Sequence, residues 1–166
     1  MAENEEEVLS SDNVQLFDDM IKFPNTLNSV YTGYITDLKE NYAQTRFTAS
    51  NDMTVDEEGL IFNSFIQIAA NHAAILSINK EFLVTVGAKV NFLAPAKTGD
   101  IIDFEAKAFF SESKKREVKV IGMIDEIKVF EGTFYVVVLE EHIFTMQQKE
   151  LEKQSKMQKI NTEKTS

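Results

Sequence analysis

The chain of 166 residues has no cysteine, no tryptophan, two prolines, two histidines and two arginines. Without cysteine there is neither a disulfide framework nor a thiolate metal site, and the redox compartment stays open. His72 and His142 are isolated from each other, and no histidine–carboxylate set has ligand spacing, so no metal and no other cofactor is expected. Positive charge is scarce: 17 Lys and Arg stand against 27 Asp and Glu, a formal net charge of −10. That balance argues against nucleic acid as a partner. No apolar run has the length and purity of a membrane span. The opening MAENEEEVLSSDN lacks the basic and apolar regions of a signal peptide, so a cytoplasmic location without a membrane partner is expected.

What is present suits one folded domain. Hydrophobic content is 43% and charged content 27%, ordinary values for a globular chain of this length. Residues 1–12 read as a mobile acidic tail, 13–144 as the domain, and 145–166 as a charged C-terminal tail that begins as a helix and frays. From Val14 to Phe23 the apolar spacing suits a short covering helix that stops at Pro24.

The stretch GLIFNSFIQIAANHAAILSIN, Gly59 to Asn79, carries the apolar content of a buried helix. Asn63, Gln67 and Asn71 nevertheless recur at four-residue spacing, which sets three amides on one stripe of it. A buried amide needs a hydrogen-bond partner or a ligand. Two strand-like segments precede the helix, Tyr31–Leu38 and Asn41–Ala49. Four follow it: Phe82–Leu93, Ile101–Ser111, Val118–Ile124 and Ile127–Glu140, with Gly132 expected at a bulge. One apolar helix followed by consecutive antiparallel strands predicts an α+β domain whose sheet curls around that helix. One sheet cannot cover every apolar face, so a second copy of the chain is expected to close the rest.

The pattern Val90-x-Phe92-x-x-Pro95-x-x-x-Gly99-Asp100, downstream of a long helix opened by Gly59, resembles the strand–turn–strand of the hot-dog fold. This is the superfamily of acyl-CoA thioesterases and dehydratases, and the resemblance runs from about Val30 to Glu140. The acidic N-terminus and Lys-rich tail also resemble those of small hot-dog proteins co-regulated with flagella or linked to virulence in campylobacters. The resemblance implies a single hot-dog domain, homodimers joined sheet to sheet, and acyl-CoA sites at the subunit interface beside each central helix. It further implies an oxyanion-stabilising backbone N–H near Gly59, with a catalytic carboxylate one or two turns further on.

Counting along the chain, that carboxylate position falls on Gln67, which is uncharged and cannot accept a proton. Whether the protein is an enzyme therefore stays open. The catalytic candidates are Gln67, Asn71 and Asp56, with Asp52, Glu57 and Glu58 as other carboxylates nearby. Binding candidates are Gly59, Asn63, Gln67 and Asn71, together with Lys114, Lys115 and Arg116, the tight basic cluster suited to the phosphates of coenzyme A. Each has a plainer reading: Gly59 relieves a turn, the amides satisfy the enclosing sheet, and the basic cluster is a solvated hairpin. Three functions follow. One is an acyl-CoA sensor or regulator without real turnover, another a thioesterase with an unusual catalytic group, and the third an adaptor dimer with a vestigial pocket. The sensor would signal through a protein partner.

Overall fold

The computed structural model describes residues 16–165. Its centre is a six-stranded antiparallel sheet in the order β1-β2-β4-β5-β6-β3. The strands are β1 (Tyr34–Lys39), β2 (Tyr42–Thr48), β3 (Phe82–Phe92), β4 (Ile101–Phe109), β5 (Lys115–Ile124) and β6 (Ile127–Leu139). Helix α1 (Ser29–Thr32) is a single turn; α2 (Asn63–Ile78) is the central helix and α3 (Ile143–Lys164) the C-terminal one. The hairpins turn where a left-handed residue is available: Asn41 has φ 59° and Asp125 φ 50°, conformations that Asn and Asp tolerate better than most residues.

Alternation along the strands sends one set of side chains against α2. Phe47, Phe104, Phe130 and Phe134 are buried there, and the Phe104 and Phe130 rings meet edge-on at 5.9 Å. Burying each such side chain contributes about 1.5–3 kcal/mol of transfer free energy. The helix answers with small residues: Ala69, Ala70, Ala73 and Ala74 are fully buried, which lets its backbone seat close to the sheet. Long β3 is an edge, paired only to β6.

Several expectations need correction. The central helix starts at Asn63 rather than Gly59, because Leu60 and Ile61 are spent on bridges to Lys97 and Thr54. Gly132 keeps regular pairing with Val90; the shifts lie between Ile35 and Asp37, Thr85 and Gly87, and Gly122 and Met123. Gly132 answers a packing need instead, since a Cβ there would lie 3.0 Å from Val90 Cγ1. Strand β5 begins at Lys115, so the basic cluster is only partly in the hairpin turn. Of the covering segment, residues 16–18 are helical and 19–20 form a turn, with Met20 N bonded to Phe17 O, so the helix stops short of Phe23; residues 14 and 15 lie outside the described residues. The segment's Phe17, Ile21 and Phe23 pack around Ile35, Leu38, Ala43 and Leu76. Residues 1–12, read as an acidic tail, lie outside the described residues. The C-terminal segment is one helix of 22 residues with none buried.

Candidate functional site

Loop 49–62 is stitched to the turn that follows β3. Ile61 N donates to Ala96 O at 2.9 Å, Thr98 N to Gly59 O at 2.9 Å, and Gly99 N to Ala49 O at 2.8 Å. Gly59 has φ +88°, and a Cβ on it would lie 3.2 Å from Thr98 Oγ1. Both facts demand glycine here. Asp56 braces the same turn: its Oδ1 accepts from Glu58 N at 3.0 Å and Leu60 N at 3.1 Å. Asp52 accepts a hydrogen bond from Ser50 Oγ.

This stitching leaves a cleft of about 410 Å³ at the start of α2, lined among others by Val55, Leu60, Phe62, Asn63, Phe92 and Pro95. Phe62 is the N-cap and offers no side-chain cap, while Phe65 N turns back to Phe62 O. The amides of Asn63 and Ser64 thus start the helix without a capping side chain. They give the cleft a partial positive charge suited to an anion or a polarised carbonyl. Gly59, four residues upstream, is spent on its turn.

The amide stripe is the helix face the sheet does not cover. Asn63 is exposed and Gln67 and Asn71 are half-buried, with Phe62 at 51% and Ile68 at 41% exposure alongside. This answers the puzzle of amides on a buried helix: α2 is buried by the sheet and by the N-terminal segment, and the end of the stripe at Asn63 and Gln67 is left open. Asn71 Oδ1 accepts from Thr85 Oγ1 of β3 at 2.9 Å, a partner that sequence spacing gave no means of finding. Among the described residues, Gln67 has no hydrogen-bond partner. Tyr31 stacks on Phe65 at 5.9 Å beside it.

His72 points to the other side. It is 4% exposed, and burial pushes its pKa down to about 4. Its Nε2 lies 3.2 Å from Asn25 Oδ1, while Nδ1 is buried without a partner. Asn79 holds the same N-terminal strap, with its Oδ1 accepting from Lys22 N at 2.8 Å and its Nδ2 donating to Met20 O at 2.9 Å.

The basic cluster is not brought to this cleft within one chain. Lys115 is level with Val137 and Val84, whereas the cleft begins at Phe92. Eight residues of strand separate them, about 26 Å. Lys114 pairs with Glu140 at 3.5 Å in solvent. Arg116 is buried at 7% exposure on the helix side of the sheet, and its Nε donates to Ser113 O.

A second cavity, about 660 Å³, is lined among others by Gln44, Arg46, Asp103 and Glu105, whose side chains alternate with the core-facing ones, and by Leu16 and Phe17. Its charged groups are already paired, although the buried Thr45 hydroxyl has no partner among the described residues. Arg46 meets Asp103 at 2.8 Å, which raises its pKa, and Tyr42 OH donates to Glu105 at 2.9 Å. Burial and the Glu105 carboxylate push the Tyr42 phenol up to about 12. Burial pushes Glu105 up, but hydrogen bonds from Tyr42 and Lys107 outweigh that and leave it below the usual range. Among the described residues no acidic or histidine cluster could hold a metal ion, and no helix is long and apolar enough to cross a membrane.

The chain is similar to Cj0977, a sigma28-regulated virulence protein from Campylobacter jejuni, at 44% identity. The match covers 84% of this chain and 99% of that one, with a TM-score of 0.80. The chain belongs to the same family as this Campylobacter jejuni protein, and its fold is the hot-dog fold. Within that fold it is also similar to an uncharacterized protein from Pyrococcus horikoshii, at 33% identity over 74% of this chain and 95% of that chain, TM-score 0.72. A hypothetical thioesterase from Streptococcus pneumoniae, solved with coenzyme A, shares the fold at 14% identity over 78% of this chain and 98% of its own, TM-score 0.60. Over 113 residues the chain is 36% identical to methylthioribose-1-phosphate isomerase from Aquifex aeolicus, 68% of this chain. It spans only 25% of that curated relative's length. No family model matches the sequence.

Proposed function

We propose that the protein is a dimeric acyl-CoA-binding hot-dog protein that holds a thioester without turning it over at an appreciable rate. The observation that carries this reading is Gln67. It sits on the open face of α2, one turn beyond the uncapped helix start, with an unengaged amide where related thioesterases place a carboxylate. An amide donates and accepts hydrogen bonds but neither takes a proton nor attacks a carbonyl. The carboxylate of Asp56, a candidate in the loop, already accepts two backbone N–H bonds through one oxygen. A thioester carbonyl directed at the Asn63 and Ser64 amides would put its acyl chain among Leu60, Phe62 and Phe92, and Gln67 within reach of the polar end.

The dimer follows from what one chain leaves uncovered. Strand β3 offers an unpaired edge of 11 residues, and Phe62, Ile68 and Val86 stand exposed beside it. A long bare edge next to apolar surface is a pairing liability in a monomer. If two β3 strands pair antiparallel, the partner's basic cluster approaches the cleft that its own chain cannot reach. Lys114 and Lys115 then serve the phosphates as exposed charges, while Arg116 supports their turn from inside. The coenzyme A bound to the Streptococcus pneumoniae neighbour is in keeping with this ligand class. A sensor of this kind passes its signal to a protein partner.

The test is thiol release and direct binding measured side by side over a series of acyl-CoAs. Wild type is expected to bind and release little thiol. Gln67→Glu restores a carboxylate at equal length and is expected to release thiol at least about 10²-fold faster, the usual contribution of a general base. Brisk wild-type release that survives Gln67→Ala would refute the reading and favour a thioesterase using Asp52, Asp56, Glu57 or Glu58.

A further inference from the structure

Helix α3 runs 22 residues away from the domain with no buried residue. A helix of that length, about 33 Å, draws little stability from propensity alone and is expected to cover one face. Four of its six apolar side chains share one stripe, with Phe144 and Leu151 off it. Ile143, Met146, Met157 and Ile160 fall on one stripe at the three-and-four spacing of a coiled-coil seam, and Glu150 and Lys153 occupy the two seam positions between them. Met146, Met157 and Ile160 are 39%, 65% and 51% exposed, and Ile143 is half-buried at the root of the helix. Neither Glu150 nor Lys153 has an ion-pair partner among the described residues, although Lys149, just off the seam, is bound to Glu141 at 2.6 Å. Phe144 lies on the other side, packed at 5.2 Å on the His142 ring.

The seam has a symmetry that singles out its partner. Residues 143 and 160, 146 and 157, and 150 and 153 are each equidistant from the midpoint between Leu151 and Glu152. We infer that α3 pairs antiparallel with α3 of a second copy of this chain, about a twofold axis at that midpoint. Ile143 then faces Ile160 of the second copy, Met146 faces Met157, and Glu150 faces Lys153, each contact occurring twice. In a parallel pair Glu150 would face Glu150 and Lys153 would face Lys153, so charge as well as register selects the antiparallel arrangement. A polar pair in the middle of an apolar seam costs stability but fixes orientation. The ends of the seam lie beside the domain: Ile143 borders an apolar groove with Ile75, Phe82, Leu83 and Leu139, where the tip of the second copy's helix would arrive. This inference is independent of the ligand reading above.

The absence of cysteine makes the test clean. Full-length Met146→Cys and Met157→Cys are purified reduced, then oxidised separately and as a mixture. In the antiparallel register each cysteine is 11 positions from its own copy, about 16 Å along the axis, and level with the other variant's. The mixture should give the mixed disulfide at least about tenfold above either homodisulfide, because pairing raises the local thiol concentration to the millimolar range. Adding Glu150→Lys to both variants puts lysine against lysine at the centre and should abolish that excess. Placing Glu150→Lys on one variant and Lys153→Glu on the other restores opposite charges between chains, and with them the mixed product. Circular dichroism of each variant checks that the helix persists. Equal homodisulfides would indicate a parallel pair, and no disulfide from helical proteins would mean another occupant; either result overturns the inference. So would cross-linking that ignores the charge pattern.

Discussion

Lowering the pH should weaken this fold before its carboxylates titrate, and one residue should account for it. His72 has a pKa of about 4 in the folded protein against 6.5 when free in solution. The depression follows from burial, and the geometry shows why it persists. With Nε2–H donating to Asn25, Nδ1 faces a buried site without an acceptor, so a second proton would place an unmatched charge there. The sign follows from linkage. The unfolded chain binds the proton and the folded one refuses it, so stability rises with pH between about 4 and 6.5. It is fully present above 6.5 and lost as pH falls toward 4. Using these two pKa values, the loss between pH 7.5 and pH 5 is about 2 kcal/mol, and about 3 kcal/mol once pH 4 is passed. Urea unfolding at pH 7.5 and pH 5 measures it, with His72→Gln as the control. The variant keeps a hydrogen-bonding side chain facing Asn25 but has nothing to titrate, so its stability should change by well under 1 kcal/mol over the same interval. A wild-type difference below about 0.5 kcal/mol, or an equal difference in His72→Gln, would refute the reasoning.

Other consequences are local. Asn79→Gly keeps the left-handed helix end yet removes both bonds to the strap, and should cost about 1–2 kcal/mol with faster proteolysis near residues 20–25. Gly59→Ala places a side chain at φ +88° against Thr98; a loss of about 1–3 kcal/mol in urea midpoint experiments is expected. Gly122→Ala would set a Cβ 2.8 Å from Phe104 Cε1 and should destabilise by about 1–3 kcal/mol through overpacking. Glu105→Gln removes the carboxylate that helps hold Tyr42 near 12, so ultraviolet titration should show that phenol ionising at lower pH.

The order of elements was legible because each carries its own composition. β-Branched and aromatic runs between polar turns marked all six strands within a few residues, and the long apolar run marked the central helix. What the sequence hid was which face of that helix stays open. An apolar run nearly uniform around its circumference does not say that the sheet takes the Ala69–Ala73 side and leaves Asn63 and Gln67 outside. Long-range partners were equally hidden: Thr85 for Asn71 and Asn25 for His72 are fixed by the tertiary path of the chain. Gly59 was singled out as the start of the helix, with a turn as its plainer reading; at φ +88° it makes that turn, and a bridge from Leu60 to Lys97 intervenes before the helix. The basic cluster was read as one unit because its residues are adjacent. Strand pairing separates them, since neighbours on a strand point to opposite faces and Arg116 points inward.

The central claim is that this site holds a thioester and leaves it intact. Native mass spectrometry of the protein incubated with a series of acyl-CoAs tests that most directly, since assembly and ligand mass are read together. The account predicts a dimer of the 18.9 kDa chain carrying whole acyl-CoA, unchanged over hours. A dimer found with free coenzyme A and released acid, or one that takes up no acyl-CoA at any chain length, would contradict it.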